Sequence, residues 1–200
     1  MGLILNSVKP INVLYNGAEV SLYFNGSKIW PESSPTPSFD EVIIGTQTWM
    51  SKNLTIDDGL GGIYTQVVDY GHGEVIEYYY TWEAAVRIAS TIEGWHLPSI
   101  AEWNTLFNTV GGDIIGSHLK SRYGWSSGNG LNTYNFNVFP AGRWYSTSSV
   151  FFEKFKKAYF WTSNSSTETG ATGIVFTTDS SVSSSVLIKA DGFSIRLIKD

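Results

Sequence analysis

The chain has 200 residues, no cysteine and a formal net charge of −5; 15% of it is aromatic and only 16% charged. This excludes a disordered polymer, a disulfide scaffold, thiolate metal sites and cysteine nucleophiles, and it argues against a nucleic-acid partner, because no basic run is present. No apolar stretch approaches the roughly 18 residues a bilayer crossing needs, and Leu3-Ile4-Leu5 is too short for a signal peptide, so neither membrane insertion nor a leader is expected.

Residues 1–30 read as a small β module. Asn16-Gly17 and Asn25-Gly26 each separate β-prone runs, and Asn-Gly supplies the two positive φ angles of a type I′ hairpin turn. Two such turns in succession predict a three-strand meander through residues 11–15, 19–24 and 27–30. A unit so small needs a partner surface, which points to packing on the main domain or to a homo-oligomer, a trimer among the options. Residues 31–38, Pro31-Glu32-Ser33-Ser34-Pro35-Thr36-Pro37-Ser38, form an extended linker.

From residue 39 to 200 the pattern is α+β. Residues 41–45 and 47–50 predict a hairpin, and the Gly- and Asp-rich stretch from 53 to 77 predicts a meandering loop. A helix follows the N-cap Thr81, with Trp82, Ala85, Val86, Ala89 and Ile92 on one apolar face and Gly94 as its stop. Ser99 and Glu102 form a capping box for a second helix, whose stripe is Trp103, Leu106, Phe107 and Val110 and which ends at Gly111-Gly112. A short third helix is predicted over 114–120. Beyond Tyr123 short strands and Ser/Gly/Asn loops are expected, the clearest strands being 172–176, 185–188, and 193–198 as a half-buried strand alternating apolar and polar side chains.

Chemistry is sparse in this pattern. Gly124-Trp125-Ser126-Ser127-Gly128 matches G-x-S-x-G, but no helix follows it and His72, His96 and His118 all precede it, so a turn is the expected role. His72, Glu74 and Glu77 match no metal-ligand spacing, and Asp57-Asp58-Gly59 lacks the alternating ligands of a calcium loop. His96, ahead of a helix cap, is expected to be buried and hydrogen-bonded to backbone. The residues argue against an enzyme, and neither cofactor nor metal is expected.

Several motifs in order carry a resemblance. Ile44-Gly45-Thr46-Gln47-Thr48-Trp49-Met50-Ser51-Lys52-Asn53-Leu54, Tyr80-Thr81-Trp82-Glu83-Ala84-Ala85, Gly94-Trp95-His96-Leu97-Pro98-Ser99 with Glu102-Trp103, Leu119-Lys120-Ser121 with Gly124-Trp125, Phe160-Trp161-Thr162-Ser163 and Gly192-Phe193-Ser194-Ile195-Arg196 resemble the Fibrobacter-type major paralogous (FISUMP) domain over about residues 39–200. The resemblance implies a C-type-lectin-like fold: two helices, a small twisted antiparallel sheet and long loops. Trp49, Trp82, Trp95, Trp103, Trp125 and Trp161 fall inside these motifs, and most of them are expected to be at least partly buried. The motifs of calcium-dependent sugar binding in C-type lectins are missing, and so are the cysteines on which the related oxidases depend.

Leu14-Tyr15-Asn16-Gly17 and residues 22–30 resemble small modules of phage tail proteins. Together with a lectin-like domain, they are similar in arrangement to phage receptor-binding proteins and to the variable proteins of diversity-generating retroelements. That likeness implies a recognition protein on a virion or a bacterial cell surface, whose partner is a bacterial surface protein or glycan; a bacterial adhesion protein is the alternative. Its ligand face is expected over 143–159 and 167–189, with Arg143, Trp144, Tyr145, Phe151, Phe155, Tyr159, Thr178, Ser180 and Ser181 as binding residues. Rigid aromatics and arginine give contact area at low entropy cost, and small hydroxyl side chains hydrogen-bond adaptively. Of Phe151 and Phe152 at least one should face the core, since strand neighbours point to opposite faces.

Overall fold

Two residues separate the paired ends of each N-terminal hairpin in the computed structural model: Tyr15 faces Ala18, and Phe24 faces Ser27. The structure describes residues 37–200 in full and, before them, only the backbone of four short strands, β1 (Leu14–Tyr15), β2 (Ala18–Glu19), β3 (Leu22–Phe24) and β4 (Ser27–Trp30). The expected Asn-Gly turns, strand residues 11–13 and most of the linker lie outside the described residues. Among the described residues, β1 pairs with β2 and β3 with β4, each as a two-stranded ladder. The chain divides into one unit over Met1–Pro37 and another over Ser38–Asp200.

The larger unit is α+β, built from several small antiparallel sheets. β5 (Glu41–Ile44) and β6 (Gln47–Met50) turn at Gly45, whose φ of 63° suits glycine. β6 pairs with β15 (Ile198–Lys199), which pairs in turn with β9 (Trp95–His96), so the last strand lies between segments from early in the unit. β7 (Ile63–Asp69) and β8 (Glu74–Tyr80) form a seven-pair hairpin where a loop was expected. The glycines of that stretch punctuate the strands: Gly59, Gly61 and Gly62 precede β7, while Gly71 and Gly73 make its turn, all at positive φ.

Helix α1 (Trp82–Ala89) starts at Thr81, whose hydroxyl accepts from the Ala84 amide, and ends at Ser90, ahead of the expected Gly94. Its buried stripe is Ala84, Ala85, Ile88 and Ala89, with Val86 left 38% exposed. The stripe is therefore rotated from the expected face, with Ile88 rather than Val86 turned into the core. Helix α2 (Ile100–Val110) has the reciprocal Ser99–Glu102 capping box and buries Trp103 and Leu106, while Phe107 and Val110 are only partly covered. A short α3 (Ile115–Leu119) follows. β10 (Arg143–Tyr145) pairs with β11 (Val150–Phe152), and β12 (Ala158–Ser165), β13 (Gly170–Phe176) and β14 (Val182–Ile188) form a three-stranded meander.

Two apolar clusters fill the unit. One packs α1 against Trp161, Phe193 and Leu197. The other packs α2 and α3 against Trp49, Phe136, Phe160 and Phe176, with the Trp49 and Trp103 rings 4.8 Å apart. Trp49, Trp103 and Trp161 are fully buried, Trp95 and Trp125 nearly so and Trp82 in part, as the motif reading expects. Residues 193–198 depart from expectation, since none is exposed and Ser194 and Arg196 are each 1% exposed. Phe193 exchanges backbone hydrogen bonds with Tyr80, Ser194 accepts from Trp161, and Ile195 accepts from Leu54. Neighbours on both sides cover the segment, so its alternation does not separate core from solvent.

Candidate functional site

The β10–β11 hairpin emerges beside residue 192, where Trp144 and Gly192 exchange backbone hydrogen bonds of 2.9 and 2.8 Å. Trp144 lies flat on Tyr64 of β7, with ring centroids 3.5 Å apart and planes within 9°. Phe151 turns inward onto Tyr79, 5.0 Å between centroids, while its neighbour Phe152 is 56% exposed. Alternation along β11 thus divides the two rings between core and surface. Thr147, Ser148, Ser149 and Val150 complete the exposed tip.

Charges hold this hairpin from beneath. The Arg143 Nε is 3.2 Å from Glu153 Oε2, an ion-pair contact without hydrogen-bond alignment, and its Nη1 is 3.7 Å from the Asp191 carboxylate. Asp191 Oδ1 also accepts from the backbone N–H and the hydroxyl of Ser146, at 2.9 and 2.7 Å. Glu153 accepts from Lys157 Nζ at 2.6 Å and from the Tyr159 hydroxyl at 2.5 Å. Burial favours the protonated Glu153, but these hydrogen bonds and the Arg143 charge outweigh it and hold the carboxyl below its ordinary range. Ser149, Glu153 and Phe155 all adopt positive φ. Three such non-glycine residues within seven positions is strained backbone, which persists only where its surroundings over-determine it.

The expected binding residues fall into separate places. Trp144, Tyr145 and Phe151 belong to the hairpin and are half-buried. Arg143 braces it and stacks over the Tyr145 and Tyr159 rings. Tyr159 is 4% exposed, so its ring packs beneath this face and its hydroxyl serves Glu153. Phe155 stands edge-on to Tyr70, 6.0 Å away. Thr178, Ser180 and Ser181 lie on the β13–β14 turn. Lys120 Nζ donates there to the carbonyls of Thr177, Thr178 and Asp179 (3.1, 3.0 and 2.6 Å), and the Ser180 carbonyl accepts from Gly116. Ser126 occupies a bend, its backbone N–H on the Phe155 carbonyl.

Two sites differ from the sequence reading. His96 is not a buried, backbone-bonded ring. Its side chain is 41% exposed and lies between two carboxylates, Nε2 2.7 Å from Glu102 and Nδ1 2.6 Å from Asp200. Burial lowers its pKa, and the two carboxylates more than reverse this, leaving it raised. A capping glutamate three residues past the cap also reaches backward, which brings it to a histidine that precedes the helix.

A buried polar relay that the sequence did not reveal joins Arg196, Asn53, Glu77 and Tyr70. Arg196 Nη2 donates to Asn53 Oδ1 at 2.8 Å, Asn53 Nδ2 to Glu77 Oε2 at 3.2 Å, and the Tyr70 hydroxyl to Glu77 Oε1 at 3.1 Å. Arg196 also donates to the Phe136 carbonyl and lies over the Phe136 ring, 4.5 Å from its centroid. Burial raises the Glu77 pKa, opposed by the hydrogen bonds from Asn53 and Tyr70 and by the Arg196 charge; burial lowers that of Arg196 to about 9, opposed by Glu77. In the sequence Arg196 occupies a polar position of an alternating segment, which reads as solvent-facing and hides its burial.

The model of the family described as the Fibrobacter succinogenes major domain matches residues 42–199. No curated protein and no solved structure matches the chain. Among the described residues, no helix is long and apolar enough to cross a membrane.

Proposed function

The chain belongs to the family of the Fibrobacter succinogenes major domain, and from that premise we propose that it is a surface-associated recognition protein that presents the β10–β11 hairpin to a bacterial surface protein or glycan. The carrying observation is the braced hairpin: a Tyr64–Trp144 stack at its base, Phe152 at its exposed tip, and Arg143, Glu153 and Asp191 holding it in one conformation. Pre-organisation of this kind lowers the entropy cost of binding. It also separates scaffold from surface, because residues 147–150 are exposed and can vary without disturbing the core.

In this reading the protein binds and does no chemistry. Its scaffold is C-type-lectin-like, a reading supported by two main helices, small antiparallel sheets and a C-terminal strand paired beside the first hairpin. The setting is a phage tail or a retroelement-diversified protein; an adhesion protein of the bacterial surface is the second reading, favoured by the family.

Binding of the full chain to a panel of intact bacteria and purified glycans tests the assignment. Phe152→Ser and Trp144→Ala should each weaken binding about tenfold, as truncated hot-spot aromatics do; unchanged binding by both would remove the hairpin as the ligand face. Deep sequencing of the 3′ end of the gene separates the settings. Substitutions concentrated at adenine-containing codons within 143–189 indicate diversification, and uniform variation favours adhesion.

A further inference from the structure

A cleft of about 510 Å³ opens above the buried relay, and Asn53, Glu77, Tyr70 and Arg196 lie at its floor. The volume is within the roughly 300–1,000 Å³ that small-molecule sites span. The cleft shares no residue with the β10–β11 hairpin, so it stands apart from the recognition surface proposed above.

One wall is a continuous row of rings. His72 and Tyr123 are 4.0 Å apart, Tyr123 and Phe139 5.2 Å, and Phe139 and Tyr70 4.8 Å. Val75 and Ile76, 44% and 55% exposed, add apolar lining. The floor, by contrast, has unused hydrogen-bonding capacity. Each Glu77 oxygen accepts one hydrogen bond in the relay, and a carboxylate oxygen can take a second. The Asn53 amide gives one proton to Glu77 and keeps another.

The charges at the floor select among ligands. Arg196 places a buried positive charge beside Glu77, which disfavours a cationic ligand. Its guanidinium is fully covered: two of its nitrogens are engaged, and Nε, though without a partner, is closed off from solvent. A carboxylate or phosphate therefore finds no reachable guanidinium N–H, and the lysine at the rim, Lys52, is already paired with Asp40 at 2.6 Å. What fits is an uncharged molecule with one flat C–H face for the rings, whose faces carry partial negative charge, and an edge of hydroxyls that both donate and accept. We propose that this cleft is a binding site for an uncharged saccharide, with the ring stacked on Tyr123 and its hydroxyls on Glu77 and Asn53.

The test titrates the full chain by calorimetry with glucose, galactose, mannose, N-acetylglucosamine and their disaccharides. At least one should bind with a millimolar or tighter dissociation constant. Tyr123→Ala removes the rim ring and Thr55→Trp narrows the cleft from an exposed lining position; each should weaken binding about tenfold or more. Ile43→Ser, at a 73% exposed position of β5 outside both the cleft and the hairpin, should leave it unchanged. The proposal is overturned if no sugar of the panel binds at millimolar concentration, if both cleft variants keep full affinity, or if lysine or acetate occupies the cleft in place of the sugars. Since the hairpin variants report on a different surface, loss of either assignment leaves the other standing.

Discussion

Arg196→Met is the sharpest probe of how this domain is held together. The guanidinium is 1% exposed and supplies hydrogen bonds to Asn53 Oδ1 and to the Phe136 carbonyl, and it is the positive charge opposite Glu77. Methionine fills a similar volume but leaves Glu77 without its counter-charge and those acceptors without donors. Arg196 reaches Glu77 only through Asn53, and the two charge-assisted hydrogen bonds lost, at about 1.5–3 kcal/mol each, together cost roughly 3–5 kcal/mol. For a unit of this size that corresponds to a melting temperature lowered by roughly 6–20 °C. The sign of the pH dependence follows from Glu77. Burial raises its folded pKa above the ordinary 4.5, so its contribution to stability is greatest below 4.5 and falls as pH rises through the folded value. Without Arg196 that value rises further, so the deficit of the variant should be largest near about pH 8 and shrink toward about pH 5. Urea denaturation of parent, Arg196→Met, Glu77→Gln and the double variant measures this directly. The double variant should lose less than the sum of the singles by about 1 kcal/mol or more. A loss below about 1 kcal/mol for Arg196→Met, or one equal at both pH values, would refute the paired-charge account.

Other expectations concern the braces. Gly142 has φ of 73°, and a Cβ there would lie 2.2 Å from the Phe152 carbonyl oxygen; Gly142→Ala should displace the β10–β11 hairpin, seen as faster tryptic cleavage at Lys154, Lys156 and Lys157. Lys120→Met removes three hydrogen bonds that hold the β13–β14 turn; the expected loss is about 2 kcal/mol, with faster amide exchange at residues 177–181. His96, raised by Glu102 and Asp200 against its burial, stabilises the fold fully below its unfolded pKa of about 6.5 and less as pH climbs through the higher folded value. The melting-temperature gap between parent and His96→Gln should therefore narrow from mildly acidic to alkaline pH, and a constant gap would mean that the ring acts by packing alone.

What the sequence determined by itself was local or carried by motif. Thr81 and Ser99 as helix caps, Gly45 between β5 and β6, and the burial of the motif tryptophans follow from turn chemistry, capping geometry and the cost of exposing large rings. The division of Phe151 and Phe152 between core and surface follows from strand alternation. Tertiary structure decided the rest, because it depends on which distant segments meet. Residues 193–198 alternate like a half-exposed strand, yet neighbours from 54, 80 and 161 cover them, and Arg196 is buried as a consequence. Tyr159, an aromatic in a loop-rich segment, became a buried prop for Glu153. His96 met carboxylates 6 and 104 residues away. The opening composition, aromatic and weakly charged, thus describes the packing of the core, while the few charges act where folding brings them together: Arg196 with Glu77 through Asn53, and Arg143 with Glu153 and Asp191. Periodicity registers only neighbours along one element, and these groups sit on different elements, so only the folded structure could show them.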